Sequence, residues 1–164
     1  MAAVRKNSDI IKGSMLMVFY NDNPIGFATS HSLSLTLNTT EVSTKDHGDA
    51  PAIIPQTVSW EIQAENLYSD TGELTYMQLM MAKKPVTIKF CKASNYDEQD
   101  EKGVIVAEDV EQASKDWTPD SQHIIATGQA YVTSFQINAP AGDNATMSVT
   151  FTGNGAITTN GDPT

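Results

Sequence analysis

Acid–base, nucleophilic or metal chemistry in this 164-residue chain would have to come from three histidines, one cysteine and 20 carboxylates. His31, His47 and His123 are far apart, and none stands at helical spacing from another ligand, so no zinc signature is present. Cys91 is the single cysteine, which excludes an internal disulfide framework and any zinc site built from several thiolates. In the alternating segment Val86-Thr87-Ile88-Lys89-Phe90-Cys91-Lys92 it falls on the lysine face, which makes it a half-exposed thiol with no histidine nearby to activate it. Serine, histidine and aspartate all occur, but without a G-x-S-x-G elbow. Gly153-Asn154-Gly155 lacks the third glycine and the following helix of a dinucleotide site and reads as a turn.

The carboxylates are concentrated. Ser94 to His123 holds nine acids against Lys102 and Lys115, a net charge of −7 out of the chain's −10. An EF-hand loop starting at Glu98 would place Asp100 third, Gly103 sixth and Asp109 twelfth, but Lys102 then occupies the fifth position, where an oxygen ligand is required. The stretch therefore reads as a solvated acidic insertion, with Val104-Ile105-Val106 as a short strand and Trp117 as an anchor, placed on an outer surface or a subunit boundary. No metal, cofactor or catalytic constellation emerges, and the chain does not read as an enzyme.

The elements that would position any site are strands. Thirty-one of the 164 residues are Ser or Thr, a β-rich composition. Met15 to Tyr20 is apolar on both faces and turns through Asn21-Asp22-Asn23-Pro24 into a hairpin. Period-two alternation marks Ser32–Leu37, Thr57–Ala64, Tyr131–Ile137 and Thr146–Thr152, and a fifth strand follows Pro85. In the first of these Leu33, Leu35 and Leu37 point one way and the hydroxyls the other.

One helix is expected after Asp70-Thr71-Gly72-Glu73, which resembles a capping box. Its stripe would be Leu74, Met77 and Met81, with Lys83 and Lys84 in the last turn and Pro85 beyond. Residues 1–12 form a polar N-terminal arm ahead of one domain, 13–164, and residues 39–56 read as a long loop between two strands.

Charge narrows the partners. A net −10 with Arg5 as the only arginine argues against gripping nucleic acid or an anionic membrane, since both demand clustered cations. No run is long enough for a membrane span or the apolar core of a signal peptide, so the chain reads as folded in a cytoplasm.

The string Ala28-Thr29-Ser30-His31-Ser32-Leu33-Ser34-Leu35, then Ser43-Thr44-Lys45-Asp46, Val58-Ser59-Trp60-Glu61-Ile62 and Glu65-Asn66-Leu67-Tyr68-Ser69, resembles the tail tube (major tail) proteins of long-tailed bacteriophages, of the TP901 type. The resemblance covers residues 14–92 best. It implies a mainly β fold, a β-barrel or orthogonal sandwich with one flanking helix, whose copies form hexameric rings stacked into a virion tube for genome ejection. It further implies four strands per copy around the lumen, lined by Ser32, Ser34, Thr36, Ser59, Glu61, Gln63, Thr133, Ser148 and Thr150. Residues 39–56, with Thr44, Lys45, Asp46, His47 and Asp49, would be the inter-ring loop, ordered by stacking. Implied partners are other copies, a tape-measure protein, terminator and baseplate proteins, and DNA in transit without specific binding, with assembly in the host cytoplasm. Two other readings are a tube protein of a contractile injection or type VI-like system and a small carbohydrate- or ligand-binding β-sandwich.

Overall fold

The computed structural model describes residues 13, 16–25, 28–48, 50–68, 74–93 and 119–159. In chain order these form β1 (Leu16–Tyr20), β2 (Asn23–Pro24), β3 (Ala28–Val42), β4 (Ala52–Leu67), α1 (Leu74–Ala82), β5 (Val86–Ala93), β6 (Pro119–Asn138) and β7 (Thr146–Thr159). A 3-10 turn at Lys45–His47 lies between β3 and β4. All strand pairs are antiparallel, in the order β2-β1-β5-β6-β7-β4-β3.

The 20-residue β6 ties two halves of this sheet together. Its first part pairs with β5, from Ala93 opposite Pro119 to Val86 opposite Ala130. Its second part pairs with β7, out to Asn138 opposite Thr146. The sheet folds back on itself, so that Val18, Ile88 and Phe90 from one half and Trp60, Ile62, Val149 and Phe151 from the other share one core. The expected hairpin is present: Tyr20 pairs with Asn23, and Asn21 and Asp22 both take positive φ (45° and 65°), the conformation of a two-residue type I′ turn. Lys89 closes on Asp22 at 2.5 Å.

Trp60 is the centre of the core and explains two glycines. A Cβ at Gly128 would sit 2.6 Å from the Trp60 ring, and one at Gly153 would overlap it outright. The indole Nε1–H donates to the carbonyl of Gly155 at 3.1 Å, so the buried ring also has its polar atom satisfied. The segment Gly153-Asn154-Gly155 is therefore not the turn that its composition suggests. It is the interior of β7, where Gly155 takes φ +84° and the register with β6 shifts between Thr127 and Gln129. The glycines are there for a close approach and a bulge.

Other sequence expectations change in detail. The helix exists, but its buried stripe is Tyr76, Leu79 and Met80, and Met81 is 74% exposed. Tyr76 sets the rotation: its ring meets Tyr20 and Phe151 edge-on at centroid distances of 5.9 and 6.0 Å. The helix ends in a Schellman arrangement. Lys83 N–H donates to Met80 O and Lys84 N–H to Leu79 O, with Lys83 at φ 54°, so both lysines follow the last turn instead of lying in it. The capping-box residues 70–73 lie outside the described residues.

Cys91 is fully buried, not half-exposed, in a second cluster with Met17 and Phe19, against which Ile124 packs. The reason is visible in β1, whose two faces are both apolar: Met17 pairs with Cys91, and Met17, Phe19 and Ile124 cover the Cys91 end of the second face of β5, while Thr87 on that face stays exposed. Residues 119–123, read as the end of the acidic insertion, begin β6. The acidic residues 97–116, the strand expected at 104–106, Trp117 and the arm 1–12 lie outside the described residues. Among the described residues no helix is long and apolar enough to cross a membrane.

Candidate functional site: a polar sheet face between two open edges

Strand pairing brings the hydroxyl-bearing residues together. Ser32, Ser34 and Thr36 on β3 stand opposite Gln63, Glu61 and Ser59 on β4. Gln63 and Glu61 stand in turn opposite Thr150 and Thr152 on β7, and Glu65 opposite Ser148. On β6, Ser134 and Gln136 pair with Thr150 and Ser148. Four adjacent strands, β3-β4-β7-β6, thus share one continuous face whose rows are polar while the alternate residues, Trp60, Ile62, Ala64, Val149 and Phe151, face the core.

A bulge decides the β6 residue. The register with β7 shifts between Val132 and Ser134, so Thr133 and Ser134 both look outward while Val132 is buried and Phe135 packs on the core. Thr133 Oγ1 lies 2.8 Å from Thr152 Oγ1, which puts Thr133 on the polar face. All nine lining candidates are therefore brought onto one surface. Ser134, Gln136, Thr152, Glu65 and Tyr131 belong to it too. Thr152 and Glu65 were readable by continuing the period of two, whereas Ser134 was hidden by the bulge.

The chemistry of the face is that of neutral hydrogen-bonding groups with two carboxylates. Gln63 Nε2 donates to Glu61 Oε1 at 2.6 Å and Ser59 Oγ to Thr36 O at 3.4 Å. None of the rows named contains lysine, arginine or histidine. Among the described residues no group of three or more His, Cys, Asp or Glu side chains is placed to hold a metal ion.

Both sides of the four-strand unit end in backbone without a strand partner among the described residues. β3 pairs only with β4, and β6 beyond Ala130 pairs only with β7. From the β3 edge the β3–β4 hairpin projects beyond the core. The stretch 39–56 is mostly strand, contrary to the expected loop: Thr39–Val42 pair with Ala52–Pro55, leaving 43–51 as the connection. Gln56 Nε2 donates to Thr40 Oγ1 at 2.5 Å and Asn38 Nδ2 to Thr57 Oγ1 at 3.2 Å. Its apolar side chains are nonetheless in water: Leu37, Ile53, Ile54 and Val58 are 50–63% exposed. Thr44, Lys45 and Asp46 sit exposed near the tip and His47 completes the 3-10 turn, while Asp49 lies outside the described residues.

His31, near the start of β3, points the other way, into a cleft of about 520 Å³ bordered by Leu16, Met17, Ala28, Ser30 and Phe90. Both ring nitrogens are buried without a hydrogen-bond partner among the described residues. An unmet buried donor or acceptor costs roughly 1–3 kcal/mol. Burial pulls its pKa down to about 4, so the ring is neutral at pH 7.

The fold has known counterparts. The chain is similar to a protein in the virion of a native gene transfer agent particle, with TM-score 0.65 and 14% identity over 92% of this chain and 98% of that one. It is also similar to the SPP1 tail tube, with TM-score 0.60 and 12% identity over 93% and 80%. A third likeness is to a chain of an extracellular contractile injection system solved with its sheath/tube terminator, with TM-score 0.55 and 16% identity over 95% and 98%. At these identities the likeness is one of fold. No curated protein sequence is significantly similar. The family model described as phage tail tube protein matches residues 15–159, and the chain belongs to that family of structural, non-enzymatic proteins.

Proposed function

We propose that copies of this chain close into rings by pairing the open edge of β3 with the open second half of β6 of the next copy. The alternation supports it. Along β3-β4-β7-β6 each neighbour is antiparallel, so β3 and β6 run in opposite directions and a further β3 beside β6 continues the antiparallel pattern. Six copies of four strands give a closed barrel of 24, and closure removes the edges that a single subunit leaves open. One tail among the similar structures was refined with C6 symmetry.

In such a ring the polar face turns to the lumen. The observation that carries this reading is the continuous hydroxyl and amide surface between two open edges. Duplex DNA is held chiefly by lysine and arginine at its phosphates, with release of counterions. A wall of Ser, Thr and Gln with Glu61 and Glu65 supplies no such contacts and holds water instead, so DNA passes without sticking. The projecting β3–β4 hairpin carries the exposed apolar residues that a neighbouring ring would cover. A tape-measure protein would occupy the lumen before DNA does, terminator and baseplate proteins would cap the ends, and assembly would occur in the host cytoplasm.

Negative-stain microscopy of the purified protein at high concentration, followed by DNA binding at low salt, tests the reading. Hollow tubes that fail to retain duplex DNA are expected. Strictly monomeric protein, or tubes that bind DNA with a steep salt dependence, would overturn it.

A further inference from the structure

The inward-facing row that crosses the four strands runs His31, Ala64, Val149, Phe135, each opposite the next. Its two ends differ. At the β6 end Phe135 is half-buried, and Ile137, two residues on, is 41% exposed. At the β3 end the row stops at His31 and the open cleft, where two buried nitrogens have no partner among the described residues. The cleft borders the unpaired edge of β3, so a strand added to that edge passes directly beside it.

We propose that the His31 cleft is the socket of the ring contact: it receives the Phe135–Ile137 side of β6 from a second copy of this chain. The main chain of that strand supplies the hydrogen bonds that the imidazole lacks among the described residues. This rests on the ring reading above and names the residues that fix it. Three features select a second copy as the occupant. The cleft is continuous with an open strand edge, the same chain displays a complementary open edge, and that edge carries a half-exposed apolar row at its far end. A neutral imidazole offers one donor and one acceptor, which a strand's carbonyl and N–H match without any charge. The described cleft lining is without a charged side chain, which suits an apolar insert. His31 is thus a positioning residue, reading the neighbour's strand and not the DNA.

Benzoylphenylalanine placed at Ile137 of the full-length chain, irradiated in assembled tubes and mapped by mass spectrometry, tests the assignment. Intersubunit cross-links to residues 16–17 or 28–31 are expected. In parallel, His31→Phe should melt no lower than the parent as a monomer, since it removes two unmet polar atoms. It should also raise the concentration needed for assembly about tenfold, with His31→Gln restoring part of the loss. Tubes whose Ile137 cross-links fall elsewhere overturn the socket alone. So does a His31→Phe variant that assembles as the parent does. Failure of the unmodified chain to form rings or tubes at any concentration overturns the ring reading, and the socket with it.

Discussion

The root and the tip of the β3–β4 hairpin are made of the same two strands and obey opposite rules. At the root, from Ala28 to Thr36 and Ser59 to Leu67, the alternation is consequential: Trp60, Ile62 and Ala64 are buried while the polar rows that alternate with them, such as Ser32 opposite Gln63, face solvent. At the tip, from Leu37 to Val58, both faces are exposed, and Ile53 is 63% accessible although it is as apolar as Ile62. Burial at the root is provided by the chain's own second half-sheet. Nothing among the described residues provides it at the tip, where Leu37, Ile53, Ile54 and Val58 stand at least half exposed. The root is thus held by the fold, and the tip carries the apolar side chains that the stacking proposed above would cover.

That contrast can be broken by mutation, and the largest effect on folding belongs to the root. Trp60→Ala removes the ring around which Gly128 and Gly153 are shaped, and should lower unfolding free energy by about 3–5 kcal/mol in a denaturant titration. A loss under about 1 kcal/mol would mean that the glycine seat is not the centre of the core.

Acid comes next. His31 takes a proton in the unfolded chain near its ordinary value of 6.5, but in the folded chain only near about 4. Between those values the unfolded state binds more protons, so stability rises with pH. It is lost as pH falls from 6.5 towards 4, by up to about 3 kcal/mol. Monomer melting measured across that window should show the slope, and His31→Phe should flatten it.

The smallest effect on folding, and the most instructive, is expected at the tip. Ile53→Asp with Ile54→Asp should change monomer stability by no more than about 0.5 kcal/mol. In electron micrographs the same protein should show no stacked tubes. A double variant that unfolds the monomer, or that stacks normally, would erase the distinction between root and tip.

How much of this was legible beforehand divides along the same line. Where one face is buried, period two identifies the strand and the face, as for Ser32, Ser34, Glu61, Gln63 and Thr150. Where burial stops or doubles, the signal fails. The tip strands were unreadable because neither face is apolar throughout, and Cys91 was misplaced because the Met17–Phe19 face of β1 covers its end of β5. The β6 bulge at Val132–Ser134 shifts parity without any marker residue. Gly153 looked like punctuation because its partner, Trp60, lies far away in sequence. The helix stripe was missed because α1 is apolar nearly all round, so tertiary contacts with Tyr20 and Phe151 chose its rotation.

The polar face is the feature on which the functional reading depends, and a helical cryo-electron reconstruction of tubes assembled from the purified chain tests it most directly. The expected map has an inner wall built from β3, β4, β7 and β6, with Ser34, Glu61 and Thr150 directed at the axis. A map in which that wall comes from β1 and β5, or in which those three residues face away from the lumen, contradicts it.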